Sequence, residues 1–190
     1  NKNSKDGYNF GVQKYKIGNG TEPPGFYQLF NKNEKDKFEI KNLFEKRQIN
    51  EITIKTATKN IVIDFINGVI SADLPVGNIE GPGEYEIGEA AIRGISVAKH
   101  TKTIYDVEVS GIHIGIIGDF DESLDELGIS DILCTSSVRA IKEISPKLII
   151  ATGNIDGMVS DLKLSAKVEK KIKIKKIEDL PSTQEVIALN

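Results

Sequence analysis

The chain has 190 residues, of which 39% are hydrophobic and 28% charged, and its formal net charge is −3. This length and composition predict one soluble globular domain with room for an appended segment. The small net charge excludes a general electrostatic attraction to nucleic acid or to an acidic membrane. Apolar runs such as Ile112–Ile117 are too short to span a bilayer, so we expect no membrane partner.

Cysteine and histidine are scarce, which limits the chemistry that the chain can perform. The single cysteine, Cys134, excludes an internal disulfide and any site built from several cysteines. The two histidines, His100 and His113, are few for a hydrolytic metal site, where imidazole is the commonest ligand and base. A reducing cytoplasm is therefore the expected location.

The first 48 residues predict an irregular N-terminal arm. Residues 1–36 are polar and rich in turn-forming residues, yet they carry more aromatic side chains than a purely disordered tail does. These are Tyr8, Phe10, Tyr15, Phe26, Tyr27 and Phe30. We expect one or two short strands here, docked on the body or on a partner. Residues 38–47 fit a short helix and a strand ending in a turn equally well.

The first half of the body, from residue 49, has the alternation of β-strands. Residues 49–70 alternate around a turn at Lys59–Asn60, which predicts a hairpin. The stretch "GPGEYEIGEAAIRGI" at 81–95 predicts a sharp turn and a second hairpin interrupted at Gly88. "TIYDVEV" and "IHIGIIGDF" follow as strands joined by a turn at Ser110–Gly111.

The second half alternates between strand and helix. "DESLDELGI" predicts a short helix that ends at Gly128. "DILCT" and "KLIIATG" are typical of buried strands, and "SVRAIKEIS" and "GMVSDLKLSA" predict helices beside them. "KKIKIKKI" and "EVIAL" close the chain as strands. This order predicts layered α and β structure with mixed β-sheets.

Five of these stretches occur in an order that resembles the metallo-β-lactamase-fold hydrolases. They are "GPGEYEIGEAAIRGI", "TIYDVEVSGIHIGIIGDF", "ISDILCT", "SPKLIIATG" and "KIKIKKIEDLPSTQEVIAL". The likeness is strongest to the branch of small predicted metal-dependent hydrolases that includes the ascorbate-6-phosphate lactonase type. It covers residues 49–190, and it implies a reduced αββα sandwich for that domain.

The resemblance also implies a metal site, and this chain retains little of it. The family holds one or two metal ions with a His-x-His-x-Asp-His loop, two further histidines and a bridging aspartate, and the metal activates a water molecule. Asp119 matches the bridging aspartate, and His100 falls near the position of the middle histidine. The His-x-His-x-Asp-His loop is absent, and "SADLPVGNIE" stands in its place with Asp73 and Glu80.

His100, Asp119 and Asp73 are therefore the candidate ligands of a partial site for zinc or another divalent metal. A mononuclear site needs about three protein ligands and an open position. Each residue also has an ordinary structural interpretation. His100 suits an exposed loop, and Asp119 suits an aspartate that accepts backbone N–H bonds or caps the next helix. We favour the structural interpretations and expect no resident cofactor.

Other reactive residue types have structural explanations in the sequence. His113 alternates with isoleucines on a strand and is expected to face solvent or a polar neighbour. Cys134 has no base nearby in sequence and is expected to be a small buried apolar residue. Ser136–Ser137 predicts a helix N-cap, and Glu84 and Glu86 are expected to share one solvated strand face.

The densest basic segment is "KVEKKIKIKKI" at 167–177, in which isoleucine and lysine alternate. The candidate nucleic-acid residues are Lys170, Lys171, Lys173, Lys175 and Lys176. No aromatic side chain stands among them to stack on bases. Lysine on an exposed strand edge also protects against edge-to-edge aggregation, and this is the favoured interpretation.

These observations predict a non-catalytic metallo-β-lactamase-like protein with a binding or assembly role. The expected partner is a protein or a second copy of the chain, contacted through residues 1–36. A reduced metal-dependent hydrolase of the lactone or phosphoester class, completed by ligands from another subunit, is the first alternative. Nucleic-acid binding through the lysine-rich strand is the second.

Overall fold

The strands of this chain form two β-sheets in a computed structural model that describes residues 37–41 and 49–190. In chain order the strands are β1 (Phe38–Lys41), β2 (Glu51–Lys55), β3 (Asn60–Asp64), β4 (Val69–Ser71), β5 (Ile79–Glu80), β6 (Gly83–Ile87), β7 (Ala90–Val97), β8 (Lys102–Val109), β9 (Ile112–Gly118), β10 (Ile132–Thr135), β11 (Leu148–Ala151), β12 (Ala166–Glu169), β13 (Lys171–Ile174) and β14 (Glu185–Leu189). The helices of the described residues are α1 (Val138–Ile144) and α2 (Ile155–Leu162).

The two sheets differ in strand direction. Sheet 1 has the order β13–β1–β2–β3–β4–β5, and its neighbouring strands pair antiparallel. Sheet 2 has the order β12–β14–β11–β10–β9–β8–β7–β6. It is antiparallel from β6 to β9 and parallel from β9 through β12. Mixed β-sheets were expected, and the mixed pairing is confined to sheet 2.

Alternating isoleucines place the main core between the sheets. Ile52 and Ile54 of β2 and Ile61 and Ile63 of β3 are fully buried in this core, as the period-two pattern predicted. A second apolar cluster joins the other face of sheet 2 to both helices, with Met158 as a buried helical member. The two sheets and this helical layer form the layered α/β sandwich that the sequence predicted. The described residues supply one of the two helical layers that the resemblance implied.

Local signals in the sequence located most turns correctly. The expected hairpin of β2 and β3 forms, but its turn spans residues 56–59 and not Lys59–Asn60, because Asn60 already pairs with Lys55. The Thr56 N–H closes this turn by donating to the Lys59 carbonyl oxygen over 2.8 Å. Ser110–Gly111 joins β8 to β9, with Val109 opposite Ile112. The helix expected at 121–129 is instead a single 3₁₀ turn, Leu124–Glu126. Positive φ angles at Ser123 (53°) and Gly128 (73°) bracket that turn and leave no room for a longer helix.

Residues 38–41 form a strand, which supports the strand interpretation over the helix interpretation for this part of the 38–47 segment. Phe38 and Ile40 are fully buried in the core between the sheets, and β1 pairs with both β2 and β13. This strand precedes residue 49, where the body was expected to begin. Residues 1–36 and 42–48 lie outside the described part of the chain, so the predicted arm and its boundary stay predictions.

No helix in the described ranges is long and apolar enough to cross a membrane.

Candidate functional site

The carboxyl ends of the parallel strands of sheet 2 are the natural place for a functional site, because ligands of α/β sheets bind beyond these ends. Here β9 ends at Gly118, β10 ends at Thr135, and β11 ends at Ala151. The chain after β9 supplies Asp119 and Asp121, and the chain after β10 supplies Ser137. We call Gly118, Asp119, Asp121, Thr135 and Ser137 the strand-end cluster.

Gly118 fixes the path of the chain as it leaves β9. Its φ of 61° lies in the left-handed region, which glycine adopts without a steric penalty. A Cβ atom at this position would lie 2.9 Å from Cδ1 of Phe65, so the close approach also requires glycine. The Gly118 carbonyl oxygen accepts hydrogen bonds from Thr135 Oγ1 (2.8 Å) and from the Ser136 N–H (2.9 Å). The Gly-Asp turn is therefore held by packing and backbone bonds.

The hydroxyl groups of the strand-end cluster are engaged in structural hydrogen bonds. Thr135 Oγ1 accepts from the Ser137 N–H over 2.9 Å. Ser137 Oγ accepts from the Ala140 N–H (3.1 Å) and donates to Asp121 Oδ2 (2.7 Å). Ser137 thus caps α1, which confirms its predicted role. Asp121 was not identified from the sequence, because it is 16 residues from the helix cap that it contacts.

The three candidate metal ligands are not brought together. Asp119 has a side chain that is 83% exposed, and its Oδ1 lies 3.5 Å from Nζ of Lys102. His100 lies in the turn after β7, where its Nδ1 is 2.9 Å from Ser96 Oγ. Asp73 is exposed in the loop after β4, with a φ of 53°. Across residues 37–41 and 49–190, no three His, Cys, Asp or Glu side chains form a group that could hold a metal ion.

The donor set of the strand-end cluster therefore does not fit the metal centre implied by the resemblance. A zinc or iron site needs several imidazole or carboxylate donors that converge on one point. At Asp119 the neighbouring charge is the Lys102 ammonium group, which cannot donate electrons to a metal while protonated. The helix that Asp119 was considered to cap is the 3₁₀ turn Leu124–Glu126, and the residue at its N-cap position is Ser123.

A second polar group lies on the side of sheet 2 that faces away from sheet 1, on strands β7, β8 and β9. Asp106 is only 7% exposed, and its carboxylate contacts His113 Nδ1 (3.1 Å) and Arg93 Nη2 (3.7 Å). Arg93 also donates to the carbonyl oxygen of Glu126 over 2.9 Å. His113 thus faces a polar neighbour, as predicted. Strand pairing places Arg93 opposite Asp106. The sequence pattern of one strand does not show which residue of the next strand lies opposite, so this network was not predicted.

This network borders a cleft of about 380 Å³ with an acidic lining. Glu84 and Glu86 of β6 and Glu108 of β8 project their carboxylates around it, and all three residues are exposed. Glu84 and Glu86 share one strand face, as expected. Arg93 is the cationic side chain of the lining, and it is already paired with Asp106. The lining offers negative charge without a serine or cysteine nucleophile, which suits recognition of a cationic group.

The lysine-rich segment forms the opposite border of both sheets. Ile172 and Ile174 are buried and Lys171 and Lys173 are exposed, which confirms the predicted alternation. Both ammonium groups lie near Glu39 Oε2, at 3.7 Å and 3.8 Å. Burial raises the pKa of the Glu39 carboxyl, and the neighbouring lysines offset that effect only in part.

Cys134 is not a nucleophile in this fold. The side chain is fully buried in the core between the sheets, and burial raises the pKa of its thiol. A thiol held protonated is a poor nucleophile and metal ligand. The predicted role of Cys134 as a small buried apolar residue is confirmed.

Comparisons with known proteins give a likeness at the level of the fold. The structure resembles a protein from Thermotoga maritima that has been proposed to be a Zn-dependent hydrolase of the metallo-β-lactamase superfamily. The TM-score is 0.58 and the sequence identity 14%, and the alignment covers 80% of this chain and 98% of the other. No protein-family model and no curated protein matches the sequence. At 14% identity this likeness concerns the fold alone, and the chain has a fold like that of the metallo-β-lactamase superfamily.

Proposed function

We propose that this chain is a non-catalytic protein of metallo-β-lactamase fold with a binding or assembly role. The observation that carries the proposal is the state of the strand-end cluster. Its hydroxyls and the Asp121 carboxylate bond to one another and to the backbone at distances between 2.7 Å and 3.1 Å. Side chains whose polar atoms already make these hydrogen bonds hold the loops in place. Few polar atoms are then left to bind or activate a water molecule.

The charge balance of the same region supports the proposal. A catalytic metal would add two positive charges next to the position of Asp119. Lys102 already supplies a positive charge 3.5 Å from that carboxylate, and it would repel a metal ion. His100 hydrogen-bonds to Ser96 in a separate turn, so it does not compensate for the missing donors.

Metal content tests the proposal directly. The full chain, purified without chelators and without a metal-affinity step, is expected to hold zinc, iron and manganese at far below one ion per chain. Elemental analysis by mass spectrometry measures this, with an active metallo-enzyme prepared in parallel as the control. Near-stoichiometric metal that is lost in Asp119→Ala or His100→Ala would overturn the proposal.

A reduced metal-dependent hydrolase is the second candidate, and the structural neighbour that has been proposed to be a Zn-dependent hydrolase favours it. In that case His100, Asp119 and Asp73 would need further ligands from another subunit, and lactones or phosphoesters would be the substrates. The metal measurement separates the two candidates, because only the hydrolase requires an ion whose retention depends on His100 and Asp119.

We propose residues 1–36 as the surface for a protein partner. Six aromatic side chains in a segment of this polarity are typical of a docking segment, because aromatic residues dominate the energetics of interfaces. Changing all six to serine is expected to abolish co-purification of the partner, measured after reversible cross-linking. The segment also contains six asparagines, and changing those to serine provides a matched control that keeps the partner. Equal recovery with both variants would contradict this assignment.

A further inference from the structure

The two sheets leave open edges on opposite sides of the sandwich. β12 ends sheet 2 and β13 ends sheet 1, and the chain passes from one to the other through Lys170, so these two edges lie on the same side. β5 and β6 end the sheets at the other side, joined by Gly81–Pro82. None of these four strands pairs with a further strand among the described residues on its outer side. Open edges of this kind are templates for pairing with another chain.

One side carries a concentrated positive charge. We define the lysine edge as the exposed lysines of β12, β13 and the residues beside them: Lys167, Lys170, Lys171, Lys173, Lys175 and Lys176. The Glu39 carboxylate near two of these lysines is held at 3.7–3.8 Å and is itself buried. The Lys171 and Lys173 side chains are nevertheless 48% and 65% exposed. Lys167 is paired with Glu185 over 3.2 Å, and Glu169, Glu178 and Asp179 are exposed next to the outer lysines, so the accessible positive charge is concentrated on β13.

The opposite side carries negative charge. We define the acidic edge as the exposed carboxylates of β5, β6 and β8: Glu80, Glu84, Glu86 and Glu108. Three of them line the 380 Å³ cleft described above. Arg93 is the cation of that lining, and its pairing with Asp106 leaves the charge of the three glutamates uncompensated within the cleft.

The signs of these charges select the partner. Two lysine edges repel each other, as do two acidic edges, so like-with-like pairing of edges is disfavoured. A lysine edge and an acidic edge attract, and both present charged side chains at every second residue: Glu84 and Glu86 on β6, Lys171 and Lys173 on β13. We propose that copies of this chain associate head to tail, the lysine edge of one copy docking on β6 and the acidic cleft of the next.

This inference rests on the binding role proposed above and names one partner for it. Because the two docking surfaces are different and lie on opposite sides, the contact is heterologous and generates a ring or an open filament. Because the contact depends on exposed charges, it weakens as salt shortens the screening length.

Sedimentation velocity on the full chain tests the association. At about 0.05 M salt the weight-average mass is expected to rise above 20.9 kDa with protein concentration, and at about 0.5 M salt it is expected to return to that value. The sample is treated with nuclease first, because nucleic acid bridging the lysines would give a similar rise. A mass of one chain at every concentration and in both salts overturns the inference, and so does a rise that nuclease abolishes.

Variants with neutralised side chains at the two edges test which surfaces make the contact between copies. Glu84→Gln with Glu86→Gln neutralises the carboxylates of β6, and Lys171→Gln with Lys173→Gln neutralises the lysines of β13. The second variant also carries Glu39→Gln, so that no buried carboxylate loses its partners. Each variant alone is expected to remain a single chain at low salt. An equimolar mixture restores one interface, so it is expected to form a dimer of twice the chain mass that grows no further.

Charge changes away from the edges serve as controls. Glu122→Gln with Asp125→Asn raises the net charge by two, as the acidic-edge variant does, and Lys99→Gln lowers it by one, as the lysine-edge variant with Glu39→Gln does. All three positions are exposed, and both controls are expected to associate like the unmodified chain. Equal loss in the controls, or a mixture that fails to dimerise, overturns the inference. If the Glu39-containing variant unfolds, Lys170→Gln with Lys175→Gln replaces it. A metal-bearing chain that still associates would refute only the proposed function, whereas a metal-free single chain would refute only this inference.

Discussion

Gly118→Ala is expected to lower the free energy of unfolding by about 3 kcal/mol, since it combines a left-handed backbone with overpacking. The φ of Gly118 is 61°, and an added Cβ atom would lie 2.9 Å from the Phe65 ring. Asp119→Ala, one residue later, is expected to change stability by less than about 0.5 kcal/mol, because that side chain is 83% exposed. Urea unfolding followed by circular dichroism measures both.

Gly111→Ala separates the two contributions at Gly118. Gly111 has a similar φ of 77°, but no atom lies within 4 Å of the position that its Cβ would occupy. Its replacement is therefore expected to cost only the left-handed conformation, about 1 kcal/mol. Equal losses at Gly111 and Gly118 would show that contact with Phe65 contributes nothing. A large loss for Asp119→Ala would show that the carboxylate has a structural role that the Lys102 contact does not account for.

The Gly-Asp motif at the end of β9 has a structural requirement that does not depend on a metal ion. The resemblance implied that Asp119 binds a metal, but the residue that the geometry of this turn requires is Gly118. The glycine is needed wherever β9 turns this close to Phe65, whether or not a metal is bound. Packing alone therefore accounts for the glycine of this motif, which is consistent with the proposed non-catalytic role.

The parts of the fold that local sequence determines were predictable. The cap at Ser137, the turn at Ser110–Gly111 and the alternation of Ile172 and Ile174 each depend on residues within a few positions of one another. The αββα class came from the order of five stretches and from the resemblance. The short strand β1 was left ambiguous, because four residues show too little periodicity to separate helix from strand.

The polar networks were not predictable, because they join residues that are distant in sequence. The register of β7 on β8 decides that Arg93 stands opposite Asp106, and no pattern within either strand states that register. Asp121 reaches Ser137 only after β9 and β10 have paired in parallel. The grouping of acidic and lysine edges on opposite sides depends likewise on the strand order of both sheets.

Asp106→Ala is expected to lower the free energy of unfolding by about 2 kcal/mol, the range found when a buried, charge-assisted partner is removed. The Asp106 carboxylate is 7% exposed and contacts both Arg93 and His113, so its loss leaves two polar groups without their partner at the sheet surface. Glu108→Ala on the same strand is the control. It removes an exposed carboxylate and is expected to have an effect within about 0.5 kcal/mol.

A double-mutant cycle with Arg93→Ala tests whether the pair acts as a unit. The double variant is expected to lose less stability than the sum of the single variants, with a coupling of about 1 kcal/mol. Additive losses would show that Arg93 contributes through its 2.9 Å bond to the Glu126 carbonyl oxygen and not through Asp106.

Coupling between Arg93 and Asp106 also affects the charge of the acidic cleft. If Asp106 neutralises Arg93, then Asp106→Ala frees a positive charge beside Glu84 and Glu108, and the head-to-tail association should weaken with it.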